Sequence, residues 1–194
     1  MARSKAGGRR SPGRAPASPP DPVGSAVDTV AAPTLASATL PRVWQGVGYR
    51  PLADPAAARP LFEFAAVSWP EGETLEPSWG AHVVEGAGER LIGAGVGQRA
   101  GAAAMLHGPV VVTEDEPLEV ATQLVSAWLD HATALGVETV FARPQGLDRV
   151  WVRFGFIPVP EGALPHSLSG SPSVGLYSWR GGSALWSFRE APRA

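Results

Sequence analysis

Residue types that commonly catalyse reactions or bind metals are few and scattered in this chain of 194 residues. It contains no cysteine, which excludes disulfides, thiolate metal sites and a cysteine nucleophile. Its four histidines, His82, His107, His131 and His166, do not show the short spacing of metal ligands. We therefore expect no metal, and any acid–base chemistry must come from isolated side chains that the fold brings together.

The segment from Asp148 to Pro160, "DRVWVRFGFIPVP", combines seven large apolar residues with two arginines and a glycine. Its pattern predicts a short helix over 145–155 that stops abruptly at Gly155, followed by a strand that begins at Phe156. Glycine suits that position because it adopts left-handed backbone conformations that other residues avoid.

The longest predicted helix covers residues 113–136. Thr113 and Glu116 have the spacing of a capping box, and Gly136 is a natural C-terminal cap. Hydrophobic periodicity and turn residues predict the remaining elements. These are a strand at 42–52, a short helix at 53–69 capped near Asp54, a hairpin at 81–99 turning at 86–88, strands at 103–112, 137–142 and 156–160, and a hairpin at 173–188 turning on Gly181-Gly182.

Strands alternate with helices in the second half of this order, which implies right-handed crossovers and a partly parallel sheet. The sequence therefore predicts an α+β fold of three layers, in which a mixed, mostly antiparallel sheet is flanked by helices. The folded domain is expected to span residues 41–194.

Residues 1–40 form a basic segment rich in proline, alanine and serine, with no aromatic residue. Such a segment cannot bury enough apolar surface to offset its ordering entropy, so we predict a disordered tail. The tail carries five basic and two acidic residues, a net charge of +3, whereas residues 41–194 carry eleven arginines and sixteen acids, a net charge of −5. An acidic domain argues against nucleic-acid binding, and no apolar run is long enough to span a bilayer.

The element order, with "VWVRFGF" at Val150–Phe156 and "HGPVVVTEDE" at His107–Glu116, resembles the GNAT superfamily of N-acyltransferases. In that superfamily a phrase such as Phe-Tyr-x-x-x-Gly-Phe is common at the end of a short helix. The resemblance covers residues 42–190. It implies that the two central parallel strands splay apart, and that an acetyl group passes from acetyl-CoA to an amine of a small molecule or a protein.

The resemblance also implies positions for the co-substrate acetyl-CoA. The pantetheine arm lies against the backbone of the fourth strand, and the pyrophosphate lies at the N-terminus of the following helix, where free N–H groups and the helix dipole favour an anion. The residues at these places, with two arginines that could supply positive charge, are Val110, Val111, Val112, Thr113, Leu118, Glu119, Val120, Arg143 and Arg149.

The implied catalytic residues are His107 and Trp151. A general base in such enzymes often faces the cleft from the fourth strand, where His107 lies next to Gly108. Trp151 occupies the place at which related enzymes often carry a tyrosine that protonates the departing thiolate. An indole N–H is no useful acid, so Trp151 has an alternative role as an aromatic wall.

The sequence departs from the superfamily at the loop "TEDEPLEVAT", which contains no glycine and several acids. Glu114, Asp115 and Glu116 would repel a diphosphate, and Pro117 removes one N–H donor. We therefore predict weak affinity for acetyl-CoA, unless Arg143, Arg149 and Arg153 supply compensating charge.

Three functions remain open from the sequence. The chain is an active GNAT-type acyltransferase, a catalytically silent GNAT-fold module that binds a ligand or partner, or a structural α+β domain with Trp69, Trp79 and Trp179 at an interface. We expect a cytoplasmic monomer or homodimer that binds neither nucleic acid nor membrane.

Overall fold

A computed structural model describes residues 33–71, 74–168 and 185–189 of the chain. The described strands form one mixed sheet in the order β1-β2-β3-β4-β5-β6-β8-β7, and helices pack on both of its faces. The strands are β1 Arg42–Trp44, β2 Val47–Pro51, β3 Ser78–Glu85, β4 Gly88–Ala100, β5 Ala103–Val111, β6 Thr139–Ala142, β7 Ile157–Pro158 and β8 Trp186–Arg189. The helices are α1 Leu35–Ala38, α2 Arg59–Phe64, α3 Pro117–Ala134 and α4 Asp148–Arg153, with 3-10 turns at Pro55–Ala58, Glu161–Ala163 and His166–Leu168.

Within the described part of the sheet, β5 and β6 are the one parallel pair, and the other neighbouring strands are antiparallel. A parallel connection between neighbouring strands needs a crossover, and α3 supplies it between β5 and β6. The predicted α+β fold, with a mixed and mostly antiparallel sheet flanked by helices, is confirmed.

Alternate residues of β4 face opposite sides of the sheet and explain how both helical layers pack. Ala94 and Val96 join Phe62 of α2 in one core cluster. On the other side, a Cβ atom at Gly97 would lie 2.5 Å from the Pro77 carbonyl oxygen and 2.7 Å from the Trp128 ring of α3. Only glycine therefore lets α3 pack so closely against this part of the sheet.

The N-terminal part of the described chain differs from the sequence prediction in two ways. Helix α1 precedes Pro41, and its Ala38 is buried, so part of the segment predicted to be a disordered tail is helical. The rest of the predicted tail, residues 1–32, lies outside the described residues. The single strand predicted over 42–52 is a hairpin, because Gln45 and Gly46 both have positive φ angles and reverse the chain between β1 and β2.

The start of α3 also differs from its prediction. The capping box is absent, since Glu116 is left-handed with φ +44° and the Thr113 hydroxyl instead accepts a hydrogen bond from the Asp115 N–H. The helix begins at Pro117. Its predicted end is confirmed, because Gly136 has φ +80°, and so is the end of α4, where Gly155 has φ +79°.

His131 and Trp79 are both buried, contrary to the expectation that Trp79 lies at an interface. The Trp79 indole N–H donates to His131 Nδ1 over 3.1 Å. Burial lowers the pKa of His131, so the neutral ring accepts this bond. Of the predicted C-terminal hairpin, the structure describes β8, and its turn at Gly181-Gly182 lies outside the described residues.

Candidate active site

A cleft opens where the parallel strands β5 and β6 part. Their pairing runs from Ala103 opposite Thr139 to Leu106 opposite Ala142, where β6 ends. Beyond that point β5 continues to Val111, and no described strand pairs with it on the β6 side. Backbone N–H and C=O groups on this side of β5 can therefore meet a bound molecule as a further strand would.

Gly108 marks the point of divergence on β5. It has φ +88°, and a Cβ atom there would lie 2.9 Å from the Ala94 carbonyl oxygen and 2.9 Å from the Val110 nitrogen. The pairing between β4 and β5 shifts register at the same level, between Ala94 and Val96. Glycine is therefore needed for the bend that separates the end of β5 from β6.

The cleft contains a cavity of about 240 Å³, which we call the cleft cavity. Its walls come from the end of β5, the first residue of α3, the loop after β6, α4 and the segment after α2, and most of them are apolar. The lining residues are Ala65, Val67, Gly108, Pro109, Val110, Val111, Pro117, Arg143, Gln145, Gly146, Leu147 and Trp151.

A smaller cavity of about 50 Å³, the His107 cavity, lies on the other side of Gly108. The two cavities share Val67, Gly108, Arg143 and Gln145, so they meet at the point where the strands diverge. The remaining residues of the smaller cavity are Ser68, Trp69, Pro70, Glu71, Gln98, Met105, Leu106, His107 and Leu168.

His107 lines the smaller cavity and carries a ring nitrogen without a partner. Its Nε2 atom is buried and has no hydrogen-bond partner among the described residues. Burial, and then the positive charge of Arg143, lower the pKa of His107 to about 4. The ring is therefore neutral at pH 7 and can accept a proton or a hydrogen bond.

Arg143 follows directly after β6 and lines both cavities. Its Nη1 and Nη2 atoms donate to the two carboxylate oxygens of Glu161 over 2.6 and 2.7 Å. The arginine side chain is 14% exposed and Glu161 is 55% exposed. This bidentate pair fixes the guanidinium at the junction, and the hydrogen bond from Arg143 lowers the pKa of Glu161.

Trp151 forms a wall of the cleft cavity. Its side chain is 1% exposed, its ring packs edge-on against Phe156, and its indole N–H donates to the Gly146 carbonyl over 3.2 Å. The N–H is thus engaged in holding the loop before α4, and no tyrosine lines either cavity.

The N-terminus of α3 offers few free donors. Pro117 has no N–H, and the N–H groups of Glu119 and Val120 both donate to the Glu116 carbonyl, over 2.9 and 3.1 Å. Glu114, Asp115 and Glu116 are exposed around it. Arg153, on α4, lies 3.7 Å from Glu119.

The predicted site residues divide between the cleft and other places. Val110, Val111, Arg143 and Trp151 line the cleft cavity, and His107 lines the smaller one. The other predicted residues lie outside both cavities. Val112 and Thr113 follow β5, Leu118 is 42% exposed, Glu119 accepts from Gln123, Val120 is buried in the core, and Arg149 is exposed on α4.

Several lining residues were not predicted from the sequence. Ala65, Val67 and Trp69 follow α2, and Gly146 and Leu147 precede α4. The sequence places both segments inside predicted short helices, over 53–69 and 145–155, whereas in the structure they lie outside α2 and α4, and neither prediction indicates a site. The tertiary packing of α2 against β4 and β5 brings the first segment to the cleft.

Solved structures with a similar fold include acetyltransferases. An acetyltransferase from Streptococcus agalactiae matches with a TM-score of 0.53 and 13% identity, over 76% of this chain and 100% of that one. Rv2747 from Mycobacterium tuberculosis, solved in complex with CoA, matches with a TM-score of 0.54 and 15% identity, over 74% of this chain and 99% of that one. The chain has the GNAT fold.

N-acetylglutamate synthase from Neisseria gonorrhoeae, in complex with coenzyme A and N-acetyl-glutamate, matches with a TM-score of 0.52 and 16% identity. The match covers 76% of this chain and 35% of that one, so this GNAT-fold chain corresponds to about a third of the synthase. No family model matches the sequence, and no curated protein sequence matches it.

The residues of this GNAT-fold cleft fit one part of a CoA molecule better than another. The apolar cleft cavity and the open edge of β5 suit a narrow, amide-containing pantetheine arm. The acidic N-terminus of α3 does not suit a diphosphate.

Within residues 33–71, 74–168 and 185–189, no group of three histidine, aspartate or glutamate side chains is placed to hold a metal ion. Nor is any helix in those ranges long and apolar enough to cross a membrane.

Proposed function

We propose that this chain is an N-acyltransferase that moves an acetyl group from acetyl-CoA to an amine of a small molecule or a protein. The observation that carries the proposal is the junction of two cavities where β5 and β6 part, with His107, whose buried Nε2 atom has no partner among the described residues, lining the smaller cavity. The cleft cavity would hold the pantetheine arm, and the His107 cavity would admit the amine.

The backbone of β5 positions the donor in this proposal. The arm lies along the strand from Gly108 to Val111, where its amides replace the missing strand partner. Trp151 and Leu147 form the opposite wall and exclude water from the thioester. Arg143, fixed by Glu161, closes the junction between donor and acceptor.

His107 acts as the general base. The neutral amine nitrogen attacks the thioester carbonyl carbon, which forms the C–N bond, and the attacking N–H becomes acidic as it does so. His107 Nε2 takes that proton, the C–S bond breaks, and the thiolate leaves with its electron pair to be protonated by solvent. The lowered pKa of His107, about 4, keeps its ring neutral at pH 7, so Nε2 has a lone pair for the proton, and it makes the ring a weaker base than a histidine of ordinary pKa.

A transfer assay tests the proposal. Acetyl-CoA is mixed with amino acids, polyamines, aminosugars and peptides, and both the free thiol and the acetylated product are measured. We expect an acetylated product in the presence of the protein and none in its absence. His107→Gln should lower the rate by roughly 10²- to 10⁴-fold, while the dissociation constant of the donor changes less than about twofold. An unchanged rate would exclude His107 as the base.

A second function, a catalytically silent GNAT-fold module that binds a ligand, is favoured by one observation. The only aromatic N–H or O–H on the cleft cavity wall, that of Trp151, already donates to Gly146, so no side chain there protonates a leaving thiolate. Donor binding by calorimetry without product from any amine would support this second function.

A further inference from the structure

A CoA-type donor contains a pantetheine arm and a diphosphate, and the residues of the cleft suit only the arm. We propose that the chain recognises its acyl donor through the acyl-pantetheine portion and gains little from the diphosphate. An acyl-pantetheine without nucleotide would then bind about as well as acyl-CoA. This inference rests on the proposed function and narrows the class of ligand that the cleft accepts.

Hydrogen-bond geometry at the start of α3 carries the first step. A helix N-terminus binds phosphate through its unpaired N–H groups. Here Pro117 lacks one, and the Glu119 and Val120 N–H groups donate to the Glu116 carbonyl oxygen. The Asp115 N–H donates to the Thr113 hydroxyl. In the first turn, Leu118 alone has an N–H without an acceptor among the described residues, so a diphosphate would meet few donors.

The charges around this helix end carry the second step. A shallow groove there is lined by Glu116 and Glu119 with one cation, Arg153, which already lies 3.7 Å from Glu119. Exposed Glu114 and Asp115 precede it. Each carboxylate near a diphosphate opposes binding, and a cation shared with a carboxylate attracts the phosphate less.

The third step concerns the pantetheine arm, whose binding does not depend on the charges at the start of α3. The cleft cavity is walled by Val67, Val110, Val111, Leu147 and Trp151, with the unpaired edge of β5 beside it. Burial of the arm against these side chains and its hydrogen bonds to the backbone do not depend on the acids before and at the start of α3.

Calorimetric titration of the parent protein with CoA and with pantetheine tests the inference. We expect dissociation constants within about threefold of each other at physiological salt. CoA that binds more than about 30-fold tighter than pantetheine would overturn this inference and leave the proposed function standing. If neither ligand binds, the proposed function and this inference both fail.

A charge variant provides an independent arm. Glu114→Gln, Asp115→Asn and Glu116→Gln together should raise the affinity for CoA about tenfold and leave that for pantetheine unchanged. The control, Glu85→Gln with Glu89→Gln and Glu138→Gln, removes the same net charge from residues that line neither cavity. Equal effects of the two variants on CoA, or none from the first, would contradict the inference.

Discussion

The two ends of the cleft differ in what they offer a bound thioester. At one end β5 parts from β6 beside an apolar cavity of about 240 Å³, with His107 and Arg143 at the junction. At the other end α3 begins with a proline, a left-handed glutamate and exposed acids. The cleft between β5 and β6 therefore keeps a shape that suits a pantetheine arm, whereas the acids at the start of α3 oppose a diphosphate. A fold can thus keep one of these two features without the other.

The difference between the two ends of the cleft depends on α3 lying at a fixed distance from the sheet. A substitution at Gly97 tests this dependence. Gly97→Ala places a Cβ atom 2.5 Å from the Pro77 carbonyl oxygen and 2.7 Å from the Trp128 ring. We expect a loss of about 3 kcal/mol in the free energy of unfolding, measured with urea. Gly88→Ala, on the same strand with no atom within 4 Å of its Cβ position, is the control. Equal stabilities would mean that the contact is not as close as described.

A tryptophan introduced at either end of the cleft tests which end binds the ligand. Ala65 is exposed and lines the cleft cavity, whereas Leu118 is exposed at the start of α3 and lines only the shallow groove. Ala65→Trp should weaken pantetheine and CoA binding by about 30-fold, or about 2 kcal/mol, and Leu118→Trp should change either by less than about twofold. The reverse order, measured by calorimetry, would place the ligand on α3.

The buried histidine at the junction should make stability depend on pH. Since burial and Arg143 lower the pKa of folded His107 to about 4, the unfolded chain binds this proton first on acidification. The contribution of the neutral His107 ring to the free energy of unfolding is fully present above about pH 6.5 and is lost as the pH falls toward 4.

Urea unfolding at pH 7.5, 6 and 5 isolates this effect when the parent is compared with His107→Gln. The parent should lose about 1–2 kcal/mol more than the variant over this range. His82 and His131 also have lowered pKa values and contribute equally to both proteins. Parallel curves would show that His107 is not buried as a neutral ring.

The two helices that flank the cleft both end at a left-handed glycine, which allows the smallest test. Gly136 ends α3 and Gly155 ends α4, and neither has an atom within 4 Å of its Cβ position. Alanine at either should cost about 1 kcal/mol in thermal unfolding from backbone strain alone. Only Gly155→Ala should also weaken pantetheine binding, because α4 carries Trp151. Equal effects of the two substitutions on pantetheine binding would mean that α4 contributes no more to the binding site than α3 does.

Local signals explain which elements were predicted from the sequence. The ends of α3 and α4 follow from Gly136 and Gly155, and the β3–β4 hairpin follows from the turn at 86–88. The β1–β2 hairpin was missed because a single strand over 42–52 explained its alternation, although Gln45 and Gly46 form a turn.

Partners distant in sequence explain most of what could not be predicted. The burial of His131 depends on Trp79, which lies 52 residues away in the chain. Ala65 and Val67 reach the cleft because α2 packs on β4 and β5, and nothing in their own segment indicates a binding site. By contrast, the acids of residues 114–116 could be interpreted from sequence, because exposed charge at a helix start needs no distant partner.

A crystal structure of the protein with CoA would locate the pantetheine arm and the diphosphate at once. We expect pantetheine amides about 2.9 Å from backbone atoms of β5 between Gly108 and Val111. We also expect a diphosphate that makes no contact with the N–H groups of Leu118, Glu119 and Val120. A diphosphate bound to those three groups, or an arm that lies outside the cleft between β5 and β6, would contradict the proposed recognition of the donor through its pantetheine arm.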